Sequence, residues 1–128
     1  MVSATIGEDM YRTELVATGH MLVADEPEEA GGTNDGPSPG QLLQLSLASC
    51  TAITLRTYAN RKQMKLKQIR VEVDAVRNAD KTNFQRHIYL EGDLTNDQRT
   101  RLLEIANACP VHRTLTHPIE IETVLREG

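Results

Sequence analysis

Tryptophan is absent from this chain of 128 residues, phenylalanine occurs once, at Phe84, and aromatic residues make up only 3% of it. Its core must therefore rest on Leu, Ile, Val and Ala, and it offers no aromatic platform on which bases or sugars could stack. An excess of positive charge is missing too, the formal net charge being −4. Nucleic-acid affinity grows with each phosphate that clustered Lys and Arg neutralise. The densest basic run here, Arg61-Lys62-Gln63-Met64-Lys65-Leu66-Lys67, reads as a solvated helix end and turn. No nucleic-acid partner is expected.

Residues 1–9 lack a basic region followed by an apolar one, so they do not read as a signal peptide. Charge is missing from residues 36–55, a length near the about 20 residues that span a bilayer. Yet Pro37, Ser38, Pro39, Gln41, Gln44, Ser46 and Thr51 lie within that stretch, and each is costly in hydrocarbon. The expectation is a buried helix in a cytoplasmic protein with no membrane partner. No phosphate-cradling loop is present, because residues 31–36 lack the required lysine and glycine spacing. A serine-hydrolase elbow is also absent. The length suits one compact domain over residues 1–128.

What is there reads as an α+β pattern. Val2, Ala4 and Ile6 alternate with Ser3 and Thr5. Tyr11, Thr13 and Leu15 alternate with Arg12 and Glu14, and Thr18-Gly19 offers a tight turn before Met21-Leu22-Val23. This predicts an antiparallel meander. Residues 25–38 read as a long loop, with Glu26, Glu28 and Glu29 solvated. Ser38 and Pro39 then announce a helix, Ser38 as cap and Pro39 at the first position. That helix is apolar nearly all round, from Leu42 to Leu55, so it should be buried on most sides. In so small a domain a partner subunit can supply part of that burial.

Ile69, Val71 and Val73 predict a further strand, residues 78–83 a turn, and residues 86–90 the returning strand. Thr95 and Gln98 form a capping-box pattern opening a second helix, with Leu102, Ile105, Ala106 and Cys109 on one face. Pro110 ends that helix, and residues 111–115 can form a short further turn of helix. Ile119 and Ile121, alternating with Glu120 and Glu122, predict a last strand. Runs of strand, helix, strand, helix, strand in this order place helices on antiparallel sheet and not in a doubly wound array.

The two cysteines, Cys50 and Cys109, carry the chemistry. A structural disulfide is not expected in a reducing cytoplasm. The residues alone leave three readings: inert core thiols, a metal site, or a redox pair. Cys109-Pro110-Val111-His112 supplies a Cys-x-x-His spacing to which Cys50 could add a third ligand, although no fourth ligand is evident. The redox reading needs a thiolate. If Pro110 begins a helical turn, Cys109 is its N-cap, where free N–H groups favour the anion. Cys50 lies mid-helix and gains no such help. It needs a cation, and arginine fits because it stays charged and can orient a peroxide oxygen.

The run Gly36-Pro37-Ser38-Pro39, Gln41-Leu42-Leu43 and Leu47-Ala48-Ser49-Cys50-Thr51-Ala52-Ile53-Thr54-Leu55 resembles the central helix of the OsmC/Ohr family, the osmotically inducible and organic-hydroperoxide-resistance proteins. Ala108-Cys109-Pro110-Val111-His112-Arg113-Thr114-Leu115 resembles the second-cysteine motif of its OsmC-like branch. Residues 25–29 and 31–33 resemble the loop that precedes the helix. The resemblance implies an intertwined homodimer with sheets wrapped around central helices and sites at the subunit interface. It also implies reduction of organic hydroperoxides, and to a lesser extent hydrogen peroxide, with Cys50 peroxidatic and Cys109 resolving. No cofactor and no metal are implied. The partners would be the hydroperoxide and an external dithiol, a lipoylated protein in the Ohr branch. The activating arginine falls to Arg12. The glutamate that holds it in Ohr proteins is replaced by Pro39-Gly40-Gln41, where Gln41 could hydrogen-bond an arginine. The alternative within the same fold is a protein that binds a small or acyl ligand in an apolar pocket, with inert cysteines.

Overall fold

The computed structural model describes residues 1–128. The chain divides into two compact units, Met1–Leu45 and Ser46–Gly128.

In the first unit, strands β1 (Val2–Ile6), β2 (Thr13–Ala17) and β3 (His20–Ala24) form an antiparallel sheet in that order. The meander read from the alternation is thus present. Ala17 pairs with His20, which leaves Thr18 and Gly19 as a two-residue turn. Their φ values, 51° and 81°, are both left-handed, as hairpin turns that follow the strand twist require.

The segment after β3 is more than a solvated connection. Asp25 is only 1% exposed. Its carboxylate accepts the Thr33 hydroxyl and the backbone N–H groups of Glu26 (2.7 Å), Asp35 (3.1 Å), Tyr11 (3.3 Å) and Thr33 (3.4 Å). One buried carboxylate therefore organises a loop whose composition suggested only turns. The Thr33 hydroxyl, with the Asp35, Glu26 and Thr33 N–H groups, outweighs burial and holds Asp25 well below the usual carboxylate range. Gly32 sits so close that a Cβ there would lie 2.1 Å from the Glu26 carbonyl oxygen.

Helix α1 runs Pro39–Arg61. Ser38 and Gln41 cap its start reciprocally: the Gln41 N–H donates to Ser38 Oγ at 3.2 Å, and the Ser38 N–H donates to Gln41 Oε1 at 3.0 Å. No helix of the chain is long and apolar enough to cross a membrane.

In the second unit, β4 (Lys65–Arg77) and β5 (Thr82–Asp93) pair antiparallel across a turn closed by Asn78, whose Oδ1 accepts the Asp80 and Lys81 N–H groups. Helix α2 (Asn96–Ile105) opens on the expected Thr95/Gln98 capping box. It ends earlier than the sequence suggests. A 3-10 turn, Ala106–Ala108, replaces its last turn before Pro110, and α3 (Pro110–Thr116) follows. Leu55, Tyr58 and Ala59 of α1 form the core with Leu66, Leu102 and Ala106, and Ile69, Ile88 and Leu90 pack against it.

Two further observations bear on the site. The expected strand at Ile119 and Ile121 is not formed, and both residues are exposed. Alternation favours a strand, but a strand needs a neighbour's backbone groups, and this chain offers none to that segment. Helix α1 is not covered all round either, since Ile53 remains 66% exposed.

Candidate functional site

Helix α1 sets Cys50 and Thr51 side by side near its middle. Thr51 is fully buried and its hydroxyl reaches the Leu47 carbonyl at 2.7 Å. Cys109 is fully buried, Cys50 is half-buried, and both are free thiols. They are neighbours, each perturbing the titration of the other. The backbone that follows Cys109 does what the Cys-Pro sequence suggests. Cys109 is the N-cap of α3, with Pro110 in the first turn and the Arg113 N–H donating to the Cys109 carbonyl at 3.1 Å.

The two sulfurs are not equivalent. Burial, then the bond with Cys109, pushes Cys50 above its ordinary value. Burial also acts to raise Cys109. There it is outweighed by the hydrogen bond with Cys50, the His112 N–H, the Thr51 hydroxyl and the Val111 N–H, so Cys109 lies below its ordinary value. Of the two, Cys109 is the thiol whose surroundings favour the anion.

Behind Cys109 stands Arg86, on β5. It shares the half-buried face of that strand with Phe84, Ile88 and Leu90. Its guanidinium donates to Thr51 Oγ1 at 3.1 Å, to the Ala106 carbonyl at 3.3 Å and to Asn107 Oδ1 at 3.1 Å. Burial lowers its pKa, and attraction to Cys109 acts against that. None of the ion pairs involves it. His112, on α3, is depressed by burial and then by Arg86, which favours the neutral ring.

Arg86 is the functional candidate that the sequence reading passed over. Its signal was available: it is a cation in the apolar phase of an alternating strand, where Phe84, Ile88 and Leu90 set the period. Arg12, named instead, lies in the first unit and pairs with Glu14 at 3.4 Å and Asp35 at 3.5 Å. Gln41, which could have accepted an arginine, instead caps α1 with its side-chain oxygen. No three His, Cys, Asp or Glu side chains are gathered so as to hold a metal ion.

A groove of about 430 Å³ opens on the same unit, lined by Ile53, Thr54, Tyr58, Ile105, Ala108 and Pro110 with Arg61 and Arg101. Thr54, which lines the groove, lies one helical turn from Cys50 on α1 and acts on its thiol. A half-buried thiol neighbouring a buried one beside an arginine can undergo oxidation and close to a disulfide.

The fold recurs in known structures. An OsmC-like protein from Mycoplasma pneumoniae is similar with a TM-score of 0.78 at 18% identity, over 90% of this chain and 85% of that one. An organic hydroperoxide resistance protein OsmC from Legionella pneumophila has a TM-score of 0.67 at 22% identity, over 91% and 88%. One from Elizabethkingia anophelis, also an organic hydroperoxide resistance protein, has 0.69 at 19%, over 93% and 89%. No curated protein matches the chain. Residues 32–124 match the family described as OsmC-like protein, and a match over that much of the sequence, both cysteine motifs included, means that the chain belongs to the OsmC-like family.

Proposed function

We propose that the protein is a thiol-dependent peroxidase that reduces organic hydroperoxides, and hydrogen peroxide to a lesser extent, through Cys50 and Cys109. The observation that carries this reading is the nearness of the two thiols: Cys50 is partly exposed and Cys109 is fully buried beside it. Cys50 attacks the O–O bond and becomes a sulfenic acid as an alcohol leaves. Cys109 displaces hydroxide from that sulfur to give the disulfide. An external dithiol, such as a lipoylated protein, restores both thiols by exchange. The Thr54 groove suits the alkyl part of the peroxide.

A homodimer in the cytoplasm is part of the proposal, and apolar Ile53 on α1 and Ile121 beyond α3 are surfaces for a second copy. Arg86 is the cation at the thiol pair, and Arg12 is kept as a second candidate for orienting the peroxide. The test is hydroperoxide consumption with a dithiol reductant by the wild type and by Cys50→Ser. Turnover that Cys50→Ser abolishes supports the reading. Turnover that survives this change refutes it. A wild type that consumes no peroxide but binds an acyl ligand establishes the binding-protein alternative.

A further inference from the structure

We propose that Arg86 is the positioning residue for disulfide closure: its guanidinium clamps the turn of α1 that carries Cys50 to the 3-10 turn that presents Cys109. This deepens the peroxidase reading and rests on it.

The argument starts from where the apolar core stops. Leu55 of α1 packs there with Leu102 and Ala106. Apolar attraction is non-directional, so it holds α1 beside the end of α2 without fixing their offset. Thr51 stands one turn before Leu55, and Asn107 directly follows Ala106. Arg86 reaches this end of the core from β5. Its Nη1 donates to Thr51 Oγ1 at 3.1 Å and to the Ala106 carbonyl at 3.3 Å, and its Nη2 donates to Asn107 Oδ1 at 3.1 Å.

Each acceptor is tied to a cysteine. Thr51 directly follows Cys50. The Ala106 carbonyl also accepts the Cys109 N–H, at 3.4 Å. A continuing α-helix would offer that carbonyl the N–H of Pro110, which has none. The bonds from Cys109 and Arg86 take its place. Asn107 lies in the same 3-10 turn. A single planar group thus runs from the residue after Cys50 to the backbone of Cys109, and its planarity sets the directions of the bonds. No Asp or Glu pairs with Arg86 to draw the fork away from these oxygens.

Closure is sensitive to this placement. A disulfide forms only within narrow limits of distance and dihedral angle, and a small displacement of reacting groups lowers their rate steeply. In the closing step the Cys109 thiolate attacks the sulfur of the Cys50 sulfenic acid. The S–S bond forms, the S–O bond breaks, and hydroxide leaves and takes a proton from solvent. Cys109 is oxidised and the sulfenic sulfur is reduced. The clamp holds the two segments together while this occurs.

The test mixes reduced protein with one equivalent of an alkyl hydroperoxide. Intact mass follows the disulfide, and dimedone traps any Cys50 sulfenic acid that has not closed. Arg86→Met is expected to slow closure at least about tenfold and to give a dimedone adduct where wild type gives disulfide. Arg86→Lys keeps the charge without the fork and should recover only part of the rate. Full recovery by Arg86→Lys would overturn the clamp in favour of charge alone. Asn107→Ala, which loses one of the bonds, should fall between wild type and Arg86→Met.

A second readout needs no peroxide: the equilibrium of the Cys50/Cys109 pair with reduced and oxidised dithiothreitol. Loss of the clamp should lower the constant for disulfide formation about tenfold, which raises the reduction potential by about 30 mV. A fold weakened equally in both redox forms does not move that potential. Arg86→Met that closes as fast as wild type, or keeps the wild-type potential, overturns the proposal and leaves the peroxidase reading intact. A wild type whose Cys50 stays reduced in hydroperoxide overturns the peroxidase reading, and the dithiothreitol equilibrium then decides the clamp. An Arg86→Met chain that does not fold is replaced by Asn107→Ala, whose unchanged closure rate and potential would equally sink the clamp.

Discussion

Arg86 Nη1 lies 3.1 Å from Thr51 Oγ1, tying β5 to the turn of α1 that carries Cys50. Thr51 thereby joins the Arg86 guanidinium to the Leu47 carbonyl one turn back along α1. Thr51→Val keeps its shape and removes the hydroxyl, leaving Arg86 without one acceptor and the Leu47 carbonyl without one donor. The expected cost is about 1–3 kcal/mol of stability, read by urea unfolding. An unchanged unfolding midpoint would show that the hydroxyl is not needed by either partner.

The Asp25 cage predicts a pH dependence of the fold. Its folded-state pKa lies below the ordinary value, so its contribution is fully present above about 3.9, the unfolded value. That contribution is lost as pH falls through the folded value. Asp25→Asn replaces an acceptor oxygen with a donor amide that faces several N–H groups. Thermal unfolding at neutral pH should occur at a lower temperature in the variant, and the difference from wild type should shrink on acidification. A variant as stable as wild type near neutrality would contradict the cage.

Leu102 is fully buried in the core between Leu55, Tyr58 and Ala106. Leu102→Ala should cost about 2–5 kcal/mol through lost contacts and a residual cavity. Because α2 leads directly into the turn that presents Cys109, oxidation to the disulfide should also lose uniformity, as seen by thiol titration. A loss below about 1 kcal/mol would mean that the core closes around the gap.

Ile53, 66% exposed on α1, predicts an interface. Sedimentation equilibrium should give twice the chain mass of 14.2 kDa, and Ile53→Asp should shift the protein toward the single-chain mass, because an interfacial carboxylate loses its water. A wild type that sediments as one chain at micromolar concentration would remove the dimer.

Much of the fold was legible because local rules agree with it. The Thr18-Gly19 turn, the Ser38 and Thr95 caps, and the alternation of Ile69, Val71 and Val73 each specify their element without distant help. The misreadings have one cause, that pairing between distant residues leaves a weak local signal. Ile119 and Ile121 alternate correctly, yet a strand forms only against a neighbour. Asp25 looked like one acid among the loop's several, and only folding brings five donors to it. At the site, the Cys109 N-cap could be read from Cys-Pro, since it depends on adjacent residues. Arg86 could not be assigned to the cysteines in this way, because its partners Thr51, Ala106 and Asn107 come from other elements. Its one local sign was a charge standing in the apolar phase of a strand.

The most direct test of the Cys50/Cys109 peroxidase is the state of both sulfurs after one equivalent of an organic hydroperoxide, with no reductant present. Intact mass and thiol titration should show both free thiols lost and a mass lower by two hydrogens, and peptide mapping should find Cys50 joined to Cys109 within one chain. Two free thiols persisting in excess hydroperoxide would contradict it.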